Sequence, residues 1–138
     1  AETEDYGQYN VEYVEISGSS FKDIGGAVFN IYRGGRDEST FGPHFSLTGS
    51  TFKNVGRDGN NVTGSSMVLH GVQHSDISNN VFLAAAPIKI VHTVGRPDTR
   101  VSGNITKNMP PPILEELNYE GAHRAVLVDN QFEGAAKP

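Results

Sequence analysis

The sequence contains no cysteine and no tryptophan. The first absence excludes disulfides and thiolate metal centres and leaves the redox compartment undecided. The second, with a hydrophobic fraction of only 36%, implies a core that is thin and elongated. No apolar run approaches the ~20 residues of a membrane-spanning helix, so no membrane partner is expected. There is no leucine framework and little helical periodicity, which sets aside leucine-rich and helical repeats. Positive charge is also short: the net charge is −5, which argues against a nucleic-acid partner through bulk electrostatics. No glycine-rich loop opens a helix, so nucleotide binding has no support. The opening residues Ala1-Glu2-Thr3-Glu4-Asp5 do not form a signal peptide and read as a cut end. One domain is the natural count for 138 residues.

What the chain does have is a unit that it keeps rewriting. Ile16-Ser17-Gly18-Ser19-Ser20-Phe21 returns as Leu47-Thr48-Gly49-Ser50-Thr51-Phe52 and as Ile77-Ser78-Asn79-Asn80-Val81-Phe82. Val101-Ser102-Gly103-Asn104-Ile105-Thr106 is a weaker copy, and Leu127-Val128-Asp129-Asn130-Gln131-Phe132 is a fifth. The copies begin at 16, 47, 77, 101 and 127, so the steps are 31, 30, 24 and 26 residues. Such a period marks a solenoid, in which no unit buries its own apolar face and stacking supplies the core. Glycine and asparagine at the turns permit left-handed backbone, and Asn or Ser at equivalent positions can stack as hydrogen-bonded ladders. The expected fold is all-β: a parallel β-helix of about five coils, roughly 25 Å long at ~4.8 Å per coil.

Along the chain, residues 1–10 form an acidic arm, 11–132 the β-helix, and 133–138 a frayed tail. Each coil is expected to carry two strands around the turn unit. In the first coil these lie at 11–16 and 27–32, the second with Ala27, Phe29 and Ile31 inward and Val28, Asn30 and Tyr32 outward. Met67 and Leu69, then Ile88 and Ile90, repeat the inward role. Met109-Pro110-Pro111-Pro112 makes a stiff extended stop, and residues 113–119 make a short helix before a last strand at 124–128.

The block Tyr32-Arg33-Gly34-Gly35-Arg36-Asp37-Glu38-Ser39-Thr40-Phe41-Gly42-Pro43, with Leu69-His70-Gly71-Val72-Gln73 and the third turn unit, resembles polysaccharide lyase family 6. That family comprises alginate lyases and chondroitinase B. The resemblance runs over roughly residues 11–132 and is to the C-terminal part of the family's right-handed parallel β-helix. It implies a part of a secreted or periplasmic enzyme that performs β-elimination on acidic polysaccharide, alginate or a glycosaminoglycan. The family's catalytic Lys and Arg lie on the preceding part of the β-helix, beside a calcium ion. The surrounding Lys-Ser and Arg-His-Gly signatures are not found here, and Leu69 stands where the latter would have its arginine. No catalytic residue is therefore carried over. The resemblance implies no cofactor in this segment and calcium in the whole enzyme. It also implies a partner for the exposed first coil, either an N-terminal catalytic β-helix or a second copy.

The residues themselves leave three readings open: a supporting part of a lyase, a stand-alone acidic-polysaccharide-binding module, and a small atypical lyase. Elimination on a uronate needs a cation at the carboxylate, a base for the C5 proton and an acid for the leaving oxygen. Aligning the strands places Tyr32, His70 and Val91 in one outward row, with Lys89 a position earlier and Arg33 and His92 at the strand exits. Tyr32 or His70 could act as base and Arg33 or Lys89 as neutraliser. As a binding face, Tyr32, Arg33, Arg36, His70, Lys89, His92 and Arg96 form a cationic strip with an aromatic platform, and arginine suits bidentate carboxylate contact. The competing reading is a solvated face of weak ion pairs. No metal site is expected. His70 and His74 are too far apart on a strand to share an ion, and Asp58-Gly59-Asn60-Asn61 lacks the EF-hand pattern.

Overall fold

The computed structural model describes residues 13–32, 44–57, 64–93, 97–116 and 124–132; the arm and the tail lie outside them. Thirteen strands follow one another. The first coil carries β1 (Tyr13–Ser17), β2 (Ser20–Ile24) and β3 (Phe29–Tyr32). The second carries β4 (His44–Thr48), β5 (Thr51–Val55) and β6 (Met67–His70). The third has β7 (His74–Ser78), β8 (Val81–Ala85) and β9 (Ile88–His92). The fourth has β10 (Asp98–Ser102), β11 (Ile105–Lys107) and β12 (Ile113–Glu116), and β13 (Arg124–Val128) begins a fifth.

Every pairing is parallel and joins equivalent strands of neighbouring coils. Three sheets result, in the orders β1-β4-β7-β10-β13, β11-β8-β5-β2 and β12-β9-β6-β3. They are called here the first, second and third sheets. The chain is a right-handed parallel β-helix; the repeat predicts the parallel solenoid and the family resemblance its hand. Each coil has three strands where two were expected. The turn unit is a tight corner of two residues, and its final Ser/Thr/Val-Phe pair already starts the next strand.

The corner explains the unit's composition. The unit's third position adopts a left-handed backbone in all five copies: Gly18, Gly49, Asn79, Gly103 and Asp129, with φ between 57° and 67°. These are the residue types that tolerate that region. The fourth position forms a ladder through the stack. The Ser19 N–H donates to Ser50 Oγ (3.1 Å), Ser50 N–H to Asn80 Oδ1 (2.9 Å), Asn80 N–H to Asn104 Oδ1 (2.9 Å) and Asn104 N–H to Asn130 Oδ1 (3.1 Å). The amide groups of Asn80, Asn104 and Asn130 donate in turn to the carbonyls of Leu47, Ile77 and Val101 (3.1, 3.0 and 2.8 Å). Donors and acceptors at a buried corner are thus satisfied without water.

Inside, the rings of Phe21, Phe52 and Phe82 stack at centroid separations of 4.9 and 4.7 Å. Phe29 meets Phe21, Phe45 and Phe52 edge-on. Phe45, Leu47, Phe52, Val55, Met67, Leu69, Ile77, Phe82, Ile88 and Ile90 are fully buried; Met67, Leu69, Ile88 and Ile90 among them are the inward residues read from strand alternation. First-coil Val14, Ile16, Phe21, Ile24, Phe29 and Ile31 are only partly buried. Val28, expected outward, packs against the core. It precedes β3 at a corner, where alternation does not apply, and its N–H donates to Ser66 O.

The expected helix at 113–119 is not observed where the structure describes it. Ile113–Glu116 is strand β12, paired with β9 through Ile113↔Lys89 and Glu115↔Val91. The three prolines hold the preceding chain extended, and the open edge of the third sheet supplies the backbone partners.

Two substitutions test this account. Asn80→Ala leaves the Ser50 N–H and the Leu47 carbonyl orphaned in a dry corner. Orphans cost about 1–3 kcal/mol each, so urea unfolding should show a loss of about 3 kcal/mol. Ala84 has a φ of 55° at the position occupied by Asp23, Asn54 and Asn108 in the other coils. Ala84→Asn should therefore raise stability by about 1 kcal/mol in the same titration.

Candidate functional site

The outer face of the third sheet is set by alternation along β3, β6, β9 and β12. Tyr32, His70, Val91 and Glu115 are successive partners in one row, so the alignment of Tyr32, His70 and Val91 is as read from the sequence. The Tyr32 ring, 70% exposed, stacks on the His70 imidazole at 4.2 Å between centroids and 27° between planes. Lys89 pairs with Ile113 and Val68 across the neighbouring strands, and its Nζ lies 3.8 Å from Glu115 Oε2. Glu115 is half exposed, and such a pair contributes less than about 1 kcal/mol. The row therefore runs ring, ring, aliphatic, acid. It is a two-ring platform bordered by an ion pair, and among the described residues it is not a continuous cationic strip.

His92 departs from expectation. Its residue is 1% exposed, and Nε2 lies 2.8 Å from the Thr99 hydroxyl. β9 runs on to His92, and the alternation that turns Ile88 and Ile90 inward turns His92 inward as well. It belongs to the interior and not to the outer strip. Arg33, Arg36 and Arg96 lie outside the described residues, as does Asp58-Gly59-Asn60-Asn61. His70 and His74 sit on β6 and β7, in different sheets.

His70 holds its proton less readily than an ordinary imidazole with a pKa of 6.5. Burial is the main cause, the Glu115 carboxylate pulls the other way, and the Lys89 ammonium adds to the depression. At neutral pH the ring is uncharged and able to accept a hydrogen bond, with one face covered by Tyr32.

A second arrangement was missed in the sequence. On the outer face of the first sheet, Tyr13, His44, His74, Asp98 and Arg124 are successive partners. Ring centroids are 5.8 Å apart for Tyr13–His44 and 5.2 Å for His44–His74. Asp76 and Arg100 are partners beside them, and His74, Asp76, Asp98, Arg100 and Arg124 border a shallow depression. The signal was available: each residue occupies the first outward position of its strand. Each also stands three positions before the start of a turn unit. Among the described residues no three His, Asp or Glu side chains converge on a point that could hold a metal ion.

Known proteins add the decisive observation. No protein-family model matches the chain, and no curated protein does. Among solved structures it is similar to the alginate lyase AlyGC of polysaccharide lyase family 6, with 40% identity and a TM-score of 0.82. The chain resembles polysaccharide lyase family 6. The match covers 94% of this chain and 18% of the AlyGC chain, and a mutant of the same enzyme gives the same values. The chain thus spans less than a fifth of the family 6 lyase that it matches.

The His70 environment is directly testable by NMR titration of its ring protons. The midpoint should lie below 6.5. Glu115→Gln should lower it further and Lys89→Met should raise it. With a depressed folded pKa, the unfolded chain binds the proton more readily. The stability tied to neutral His70 is therefore present above pH 6.5 and lost as pH falls through the folded midpoint.

Proposed function

We propose that this chain is a β-helix segment of an alginate-type polysaccharide lyase, one that supports the enzyme and helps hold substrate without itself performing the elimination. The similarity to AlyGC carries this reading: it is close in sequence and fold, yet it extends over a small part of that lyase. The described part of the outer face agrees with a supporting role. Tyr32, exposed and stacked on His70, offers the outer face of its ring to a sugar, while among the described residues the cation beside the pair, Lys89, is shared with Glu115. A carboxylate-neutralising cation engaged by an acid is a weak electrophilic partner for C5 proton removal.

In this reading the first coil stacks on a preceding catalytic β-helix. β1, β2 and β3 each lie at the edge of a sheet, and their inward residues are only partly covered where those of the second coil are fully buried. Both features suit another coil of the same kind. The substrate would be a uronate-containing polymer of the alginate type, and the place of action secreted or periplasmic, where such polymers are met.

The test is incubation of the purified chain with alginate and calcium, followed through the ultraviolet absorbance of unsaturated uronate products. A flat trace is expected. A rising signal that disappears in Arg33→Ala would show that the chain is itself a lyase and would overturn the supporting assignment.

A further inference from the structure

The outer face of the second sheet holds a feature that none of the preceding assignments uses. Strand pairing places Lys22 opposite Lys53, Lys53 opposite Leu83, and Leu83 opposite Lys107. Three lysines thus share one row along the solenoid axis, all exposed, in a protein whose net charge is −5. Strands in a sheet are ~4.8 Å apart, so the row extends over roughly 14 Å, with Lys22 and Lys53 adjacent.

Like charges directly opposite on neighbouring strands destabilise a sheet. Among the described residues none of the three makes an ion pair. The one acid on this face, Asp23, accepts a hydrogen bond from Asn54 Nδ2 at 2.9 Å. The neighbouring outward row is Ser20, Thr51, Val81 and Ile105, which adds two hydroxyls at the lysine-rich end. By contrast, the third sheet's lysine is paired with Glu115, and the first sheet sets Asp76 beside Arg100 and Asp98 beside Arg124. The second sheet is the described face with a surplus of positive charge.

We infer that this lysine row is a docking track for an extended acidic polysaccharide, laid parallel to the solenoid axis on a face distinct from the Tyr32–His70 platform. The inference rests on the polysaccharide reading of the preceding section and names the face that would grip the polymer. A linear polyuronate presents carboxylates at regular intervals along its length, and ammonium groups set one and two strand separations apart along one line meet it without needing a pocket. The face also disfavours a nucleic acid. Single-strand binders stack bases on aromatic side chains, and every phenylalanine of β2, β5 and β8 points inward. Such a track holds through charge, so its grip weakens as salt screens it.

The test is calorimetric titration of the full chain with polyuronate oligosaccharides at low and high salt, using the wild type, the triple variant K22Q/K53Q/K107Q and the double variant Y32A/K89Q. A neutral glucan and a single-stranded DNA oligomer serve as comparison ligands. The triple variant should bind at least about tenfold more weakly and lose most of its salt dependence, which is 1.4 kcal/mol or more. Its unfolding midpoint should stay level or rise, since a like-charge contact has been removed, which separates lost binding from lost folding. Loss of binding in the double variant alone would overturn the track and leave the supporting role of the chain intact. Tighter binding to DNA than to polyuronate, or no binding to polyuronate at all, would also overturn it. The supporting role is judged separately by the absorbance assay.

Discussion

Everything in this chain depends on a hydrogen-bonded corner repeated one coil above another. A parallel solenoid must turn sharply at the same place in every coil, and a turn leaves backbone groups that the flanking strands cannot satisfy. Here a side chain from the next coil supplies the acceptor, and its amide returns a donor to the preceding coil. The corner is therefore a joint between coils as much as a bend within one. Once it is in register, the aliphatic residue before it and the phenylalanine after it are carried inward on two different sheets. Burial of Leu47, Ile77 and Val101, and of Phe52 and Phe82, follows from the position of one polar residue.

That dependence explains what could be read from sequence. The corner is written in short, distinctive letters, so the repeat, the class of fold and the inward rows were legible before any coordinates. The Ser and Asn ladder could be inferred because its members fall at one position of the unit. The third strand was less visible, since it starts within the unit and its few residues look like the rest of a turn. His92 was misplaced because one more residue of strand reverses the side to which a side chain points. Residues 113–119 suggested a helix by composition, but the sheet edge left open by β9 outweighed local preference.

The outer faces were hardest to anticipate. Their rows run across the chain, one residue from each coil, and the insertions give each coil a different length. Lys22, Lys53 and Lys107 each stand six positions after the start of a turn unit, and strand pairing puts them in one row. Tyr13, His44 and His74 likewise stand three positions before it. A solenoid thus encodes its interior through residue type and its exterior only through position relative to the unit. The family resemblance, which rests on contiguous blocks, speaks to the first far more than to the second.

The aromatic stack has a further consequence. Phe21, Phe52 and Phe82 occupy one interior row, and the next coil puts Thr106 there, 5% exposed, its hydroxyl without a hydrogen-bond partner among the described residues. In a structure where each coil touches only its neighbours, cohesion is a sum of nearest-neighbour terms. The junction between the third and fourth coils therefore lacks the ring contact that binds the first three together and carries an uncompensated polar group instead. At that junction the coils are held by the asparagine ladder and the strand pairing instead of by stacked rings.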